Sequence, residues 1–256
     1  MALPRWPHLL LGFTGLGLLG WSIPLISPAP ALAAESAVVQ EILDGRELYI
    51  EQKQAKVQQK ARAPEQLSTR NSRGQILFNG GAVGRMNKFS QLRLGSRCFL
   101  VDRGQVLVSG KQNGCTRSAR LSVRGTNYLI EVNEAGESDI SVLEGTVEVE
   151  PLREGQPTGA SPSILEAGQK LRLSPLGAVL ALLKLEAGDY ERLLGGDLFQ
   201  GFQVPLPGFE ALESHLRSRF PGINLPVPGG VPSLLQPTLP SPPTPSVPSL
   251  FLPRLF

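Results

Sequence analysis

Between Gly74 and Leu173 short runs of alternating apolar and polar residues follow one another, and most of the breaks between them hold a glycine. "GQILFNGGAVGRM", "SQLRLGS", "RCFLVDRGQVLVSGKQNGCTRSARLSV", "NYLIEVNEAGESDISVLEGTVEVEP" and "SILEAGQKLRLSP" all carry the pattern. Alternation of this kind puts one row of side chains on a core and the other in water, the geometry of a strand. The breaks (Asn79-Gly80-Gly81, Asp102-Arg103-Gly104, Gln112-Asn113-Gly114, Asn133 to Gly136, Glu144-Gly145) supply residues that tolerate positive φ and tight corners. Such strands, separated by turn residues, predict an all-β fold. A sandwich or jelly roll, a barrel and a short solenoid each satisfy the pattern, and alternation does not choose among them.

The flanks read differently. In "AVVQEILDGRELYI", Val38, Val39, Ile42 and Leu43 stand at helical spacing and stop at Asp44-Gly45, which predicts a lead-in helix or, from Glu47, a strand. Residues 35–68 are therefore assigned to a lead-in helix and loop, and 69–174 to the β-domain. "PLGAVLALLKLEAGDYERLLGG" predicts a helical segment over 175–201 with Leu182, Leu183 and Leu185 buried. From 202 to 256 the chain holds 13 of its 23 prolines, which favour extended conformations and predict a disordered low-complexity tail. One short helix, "GFEALESHLRSRF", is expected within it, with Phe209, Leu212, Leu216 and Phe220 on one face.

At the other end, Arg5, the apolar run Leu9 to Trp21 and Ala31-Leu32-Ala33 have the layout of a secretory signal peptide over 1–34. Export predicts that Cys98 and Cys115, the two cysteines, form one disulfide, worth on the order of 3 kcal/mol through restriction of the unfolded chain. The histidines are His8 and His215 only, so the body from Ala34 to Gln200 offers none for a Ser-His-Asp or Cys-His nucleophile or for most metal sites. No catalytic residue, cofactor or metal is assigned. Carboxylate-only chemistry stays open as an alternative, a glycan-acting enzyme using the group Glu144, Glu148 and Glu150.

"LSTRNSRGQILFNGGAVGRMNKFSQLRL", "DRGQVLV", "LSVRGTNYLIEV", "ISVLEGTVEV" and "LEAGQKLRL" occur in the order expected of a FecR-type domain, and from Thr69 to Leu173 the chain resembles that family. The resemblance implies a β-solenoid-like module outside the cytoplasmic membrane that contacts other proteins; the best-known members are iron-transport regulators that control a sigma factor. Those regulators carry a sigma-binding segment before a membrane helix, whereas Met1 to His8 precedes the apolar run here, so the expectation is the exported module without the anti-sigma arm.

Arg124-Gly125-Thr126 is read as a structural corner: Gly125 where a side chain would clash, Thr126 opening a strand, and Arg124 paired to Glu144 or Glu131. Charge is divided along the chain. Residues 46–120 hold 15 Lys or Arg against 4 Asp or Glu, and residues 121–200 hold 6 against 13. Either the basic and acidic halves stack and partly neutralise each other, or the first half forms an anion-facing surface on Arg85, Lys88, Arg93 and Arg97 that meets an envelope protein or an anionic envelope polymer. Nucleic acid is not expected, and contact with a membrane is expected only through an uncleaved signal. The function predicted is an exported, periplasmic or secreted, non-catalytic binding module; its alternative is an extracytoplasmic sensory component of sigma-factor-type signalling.

Overall fold

The computed structural model describes residues 35–223 and 225, so the signal segment and the tail from 226 lie outside the described residues. The first strands are β1 (Ser36–Leu43), β2 (Leu48–Ile50), β3 (Lys53–Gln54), β4 (Lys60–Arg62), β5 (Gln66–Thr69) and β6 (Arg73–Phe78). Next come β7 (Val83–Met86), β8 (Gln91–Arg93), β9 (Phe99–Gly110), β10 (Gly114–Cys115), β11 (Ala119–Val123) and β12 (Thr126–Val132). Then follow β13 (Ser138–Glu144), β14 (Thr146–Arg153), β15 (Gln156–Pro157), β16 (Ser163–Glu166), β17 (Gln169–Leu173) and β18 (Val179–Lys184). Helices α1 (Ala187–Leu194) and α2 (Phe209–Arg219) close the described region.

Two sheets share β9. Sheet I runs β4–β1–β6–β7–β9–β12–β13–β17–β18, antiparallel throughout. Sheet II runs β3–β2–β5–β8–β9–β10–β11–β14–β16, antiparallel except for the β9–β10 pair. The β9 strand changes sheets at Gly104: Phe99 to Arg103 pair with β8 and β10, and Gly104 to Gly110 with β7 and β12. Gly104 has φ +82°, and a Cβ there would lie 2.5 Å from Ser90 Cα. Only glycine fits such an approach. The Ser90 hydroxyl donates to the Gln105 carbonyl and accepts the Gln105 N–H, both at 3.0 Å, which pins the corner. Asp102-Arg103-Gly104 is therefore a bend inside one strand and not a break between two.

The inward rows of both sheets meet in one core. Ile76, Val106, Val108, Tyr128, Ile130, Ile140 and Leu171 come from sheet I; Leu48, Leu67, Leu92, Val101, Leu121, Val147 and Leu165 come from sheet II. Period two then carries Leu77, Val83, Leu107, Leu129 and Leu143 to the opposite face of sheet I, where a second cluster forms. It is completed by Tyr190 and Leu194 of α1, Leu212 and Leu216 of α2, and Leu198, Phe199 and Leu206 between them. Sheet I is thus covered on both faces over much of its area, which explains strands such as "VLV" and "YLI" that carry apolar residues in succession. Among the described residues no helix is long and apolar enough to cross a membrane.

Three expectations are corrected. Residues 36–43 are a strand and not a helix. The stretch read as wholly helical over 175–201 begins with β18, on which Leu182 and Leu183 are exposed while Leu185 is buried. Residues 202–223, read as an unpacked tail, bury Phe202, Leu206, Leu212 and Leu216, and the expected helix is α2.

Candidate interaction surface

Sheet I ends at β18, a six-residue strand that pairs with β17 on one side and with no strand on the other among the described residues. The register sets Leu182 opposite Leu171 and Leu183 opposite Lys170, then shifts so that Val179 faces Leu173. The extra residue is Leu180. Sheet II ends at β16, and the inner row of β18 is left exposed among the described residues. Leu180 is 51% exposed and Leu182 58%. An apolar edge strand with unsatisfied backbone donors and acceptors is a template for pairing with another strand.

The opposite end of the sheets is built against such pairing. β3 is two residues and β4 three, and Lys53, Lys60 and Arg62 stand exposed on them. Short, cationic edge strands are poor templates. Beside this end, polar residues on the outer face of β1, β6 and β7 hold the segment Asp197 to Val204. Arg73 forms a fork on Asp44, Nε to Oδ2 at 2.5 Å and Nη2 to Oδ1 at 3.1 Å, and its Nη1 donates to the carbonyls of Asp197 and Gln200. Arg85 donates to Gln75 Oε1 (2.7 Å), the Leu198 carbonyl (3.1 Å) and the Val204 carbonyl (3.0 Å), with a longer contact to Phe199. Glu41 takes the N–H groups of Gln203 and Val204. Phe202 lies beneath both guanidiniums, 4.1 Å from Arg85 and 5.5 Å from Arg73. Burial pulls the Arg85 guanidinium down to about 10, and the hydrogen bond from Arg73 holds Asp44 below its ordinary range.

Arg85, Lys88, Arg93 and Arg97 do not share a face. Arg85 is 4% exposed and engaged internally, a correction to its reading as an anion-facing residue. Lys88 lies 3.7 Å from Asp44. Arg93 projects from the outer face of sheet II, donating to Gln66 at 3.3 Å, and Arg97 is exposed in the turn before Cys98. Glu144 accepts from Asn127, Glu150 pairs with Arg120 at 2.7 Å, and Glu148 is exposed, so these carboxylates serve strand faces. In Arg124-Gly125-Thr126, Thr126 opens β12 as expected. Gly125 has φ +65° with no atom within 4 Å of an added Cβ, so the turn needs its left-handed backbone and not close approach. Arg124 is exposed and makes no ion pair among the described residues; Glu131 is taken by Lys170 and Gln105. Cys98 and Cys115 form the disulfide, Cα atoms 5.8 Å apart, tying the start of β9 to β10.

These features define a mostly β chain whose described residues have one guarded end and one edge strand without a neighbour. The family model described as "FecR protein" matches residues 65–148 of the chain. The match runs from the residue before β5 into β14, so β18, both helices and the clamped segment lie beyond it. Two crystal structures of a candidate anti-sigma factor from Parabacteroides distasonis are similar over 59% of this chain at 20% identity, each with a TM-score of 0.40. The similarity covers 73% and 72% of their own chains. No curated protein matches this one.

Proposed function

We propose that the chain is an exported, non-catalytic recognition module that takes a strand of another protein along β18, as a sensory component of a sigma-factor-type signalling system. The observation that carries recognition is the open edge: a six-residue strand with Val179, Leu180, Leu182 and Leu183 exposed and one side of its backbone ladder unmatched among the described residues. Backbone pairing would supply affinity and the Leu180, Leu182 and Leu183 positions the selectivity. The FecR domain over 65–148 favours the sensory role over a free-standing binder of envelope polymers. The dispersal of Arg85, Lys88, Arg93 and Arg97 weakens the polymer reading further, because it removes a concentrated basic face. The disulfide supports an oxidising compartment outside the cytoplasm. The passage of β9 from one sheet to the other, with every pair but β9–β10 antiparallel, supports the sandwich or jelly-roll alternative over a solenoid of parallel rungs.

Deleting the chain from its host and restoring either the native protein or the Leu180→Lys, Leu182→Lys double variant tests this reading. Transcription that depends on a sigma factor changes on deletion, returns with the native chain and does not return with the variant. Transcription indifferent to deletion rejects the sensory role, and full restoration by the variant rejects the β18 edge.

A further inference from the structure

Beside the clamped segment lies a cavity of about 410 Å³, within the size range of small-molecule sites. Leu194, Phe199, Leu206 and Phe209 give it apolar walls, Arg85 stands in its lining, and Glu210 sits at its exposed rim. The polarity is uneven: Arg85 and Gln200 stand on a lining otherwise mostly apolar, with Glu210 at the rim.

The bonding of that cation is unusual. A guanidinium has five N–H donors. Arg85 places Nε on an amide oxygen, Nη1 on the Leu198 and Phe199 carbonyls and Nη2 on the Val204 carbonyl, which leaves a donor on Nη2. Every one of these acceptors is neutral. Glu41, the carboxylate near enough to favour the charge, spends its oxygens on the Gln203 and Val204 N–H groups. Arg73, in contrast, is paired with the carboxylate of Asp44, which also lies near Lys88. Burying a charge without an ionic partner is costly, and an anion reaching the cavity would recover part of that cost. The first turn of α2 lines the same space through Phe209 and Glu210; its N-cap is Gly208, which has no side chain to cap it, and the Phe209 N–H donates to the Leu206 carbonyl. A helix N-terminus adds a second, weaker preference for negative charge.

We propose that this cavity binds a small amphiphile with one anionic head, set against Arg85, and an apolar body lying between α1 and the Leu206–Phe209 stretch. The site is independent of the β18 edge.

Calorimetric titration of the purified full chain with decanoate, decyl phosphate and decanol tests it, the first two separating a fatty-acid-like head from a phospholipid-like one. Either anion is expected to bind one to one and at least about tenfold more tightly than the alcohol, the contribution of a charge-assisted hydrogen bond. Glu210→Gln, an exposed change that spares the fold, is expected to tighten the anion by about threefold and leave decanol unchanged. Arg85→Gln is expected to bring anion and alcohol to equal affinity, with circular dichroism reporting whether the variant folds. Absence of binding, equal affinity of anions and decanol for the native chain, or an anion affinity indifferent to Glu210→Gln would each overturn the proposal, whether or not the Arg85 variant folds.

Discussion

At the β4 end of sheet I the last strand is three residues long, carries Lys60 and Arg62, and lies near a segment roped down by Arg73, Arg85 and Glu41. At the β18 end it is six residues long and carries Val179, Leu180, Leu182 and Leu183 into water. One polypeptide has finished the same sheet in two opposite ways. The guarded end shows what the chain does when an edge must stay single: it shortens the strand, charges it and spends buried polar groups nearby. A sheet of this length with an unguarded apolar edge is an aggregation hazard unless something covers it. The contrast is what the proposal of a partner strand on β18 rests on.

The largest effect on this contrast comes from the guarded side. Arg85→Ala strips donors from the Leu198 and Val204 carbonyls and from Gln75, and the loss of stability expected from chemical denaturation is about 3 kcal/mol. Hydrogen exchange should speed up across Asp197 to Val204 while β17 and β18 keep native rates. Equal acceleration at both ends would merge the two regions into one cooperative unit. The bare side should respond in the opposite sense: Leu180→Lys with Leu182→Lys is expected to change stability by less than about 1 kcal/mol, since these side chains are exposed. The variant should also remain monodisperse at higher protein concentration. Unfolding of that variant would mean that the β18 leucines serve the core.

The smallest effect concerns pH. Hydrogen bonding by Arg73 lowers Asp44 below its ordinary 3.8, so the ionised carboxylate favours the folded chain above that value. That contribution is lost as pH falls through the lowered folded value. Thermal unfolding followed from pH 5 downward should show a shallower acid slope for Asp44→Asn than for the native chain. The difference is modest because the side chain is a third exposed. Identical slopes would remove Asp44 from the clamp.

The sequence carries much of the fold in plain view. Alternation places Val106 and Val108, Tyr128 and Ile130, and Leu171 and Leu173 in the core, and glycines stand at its corners. Two strands were legible only as helices, and both are bulged. In β1 the register shifts between Val39 and Glu41, so Val38, Val39, Ile42 and Leu43 fall at spacings a helix would also use. In β18 the shift at Leu180 and the absence of a covering layer remove the polar half of the alternation. The clamp was hidden for another reason. Arg85 reads as a surface residue because its strand puts it on the outer face, and the segment that buries it lies more than 110 residues away, contacted through backbone carbonyls that no side-chain pattern reveals.

If β18 is the proposed partner edge, it recognises another chain and the β3–β4 end does not. A photo-crosslinking residue placed at Leu182, and separately at Lys53, in otherwise native chains within intact cells tests it most directly. The prediction is a discrete protein adduct at Leu182, lost when Leu180→Lys is added, and none at Lys53. Adducts of equal yield at both positions, or none at Leu182, would contradict it.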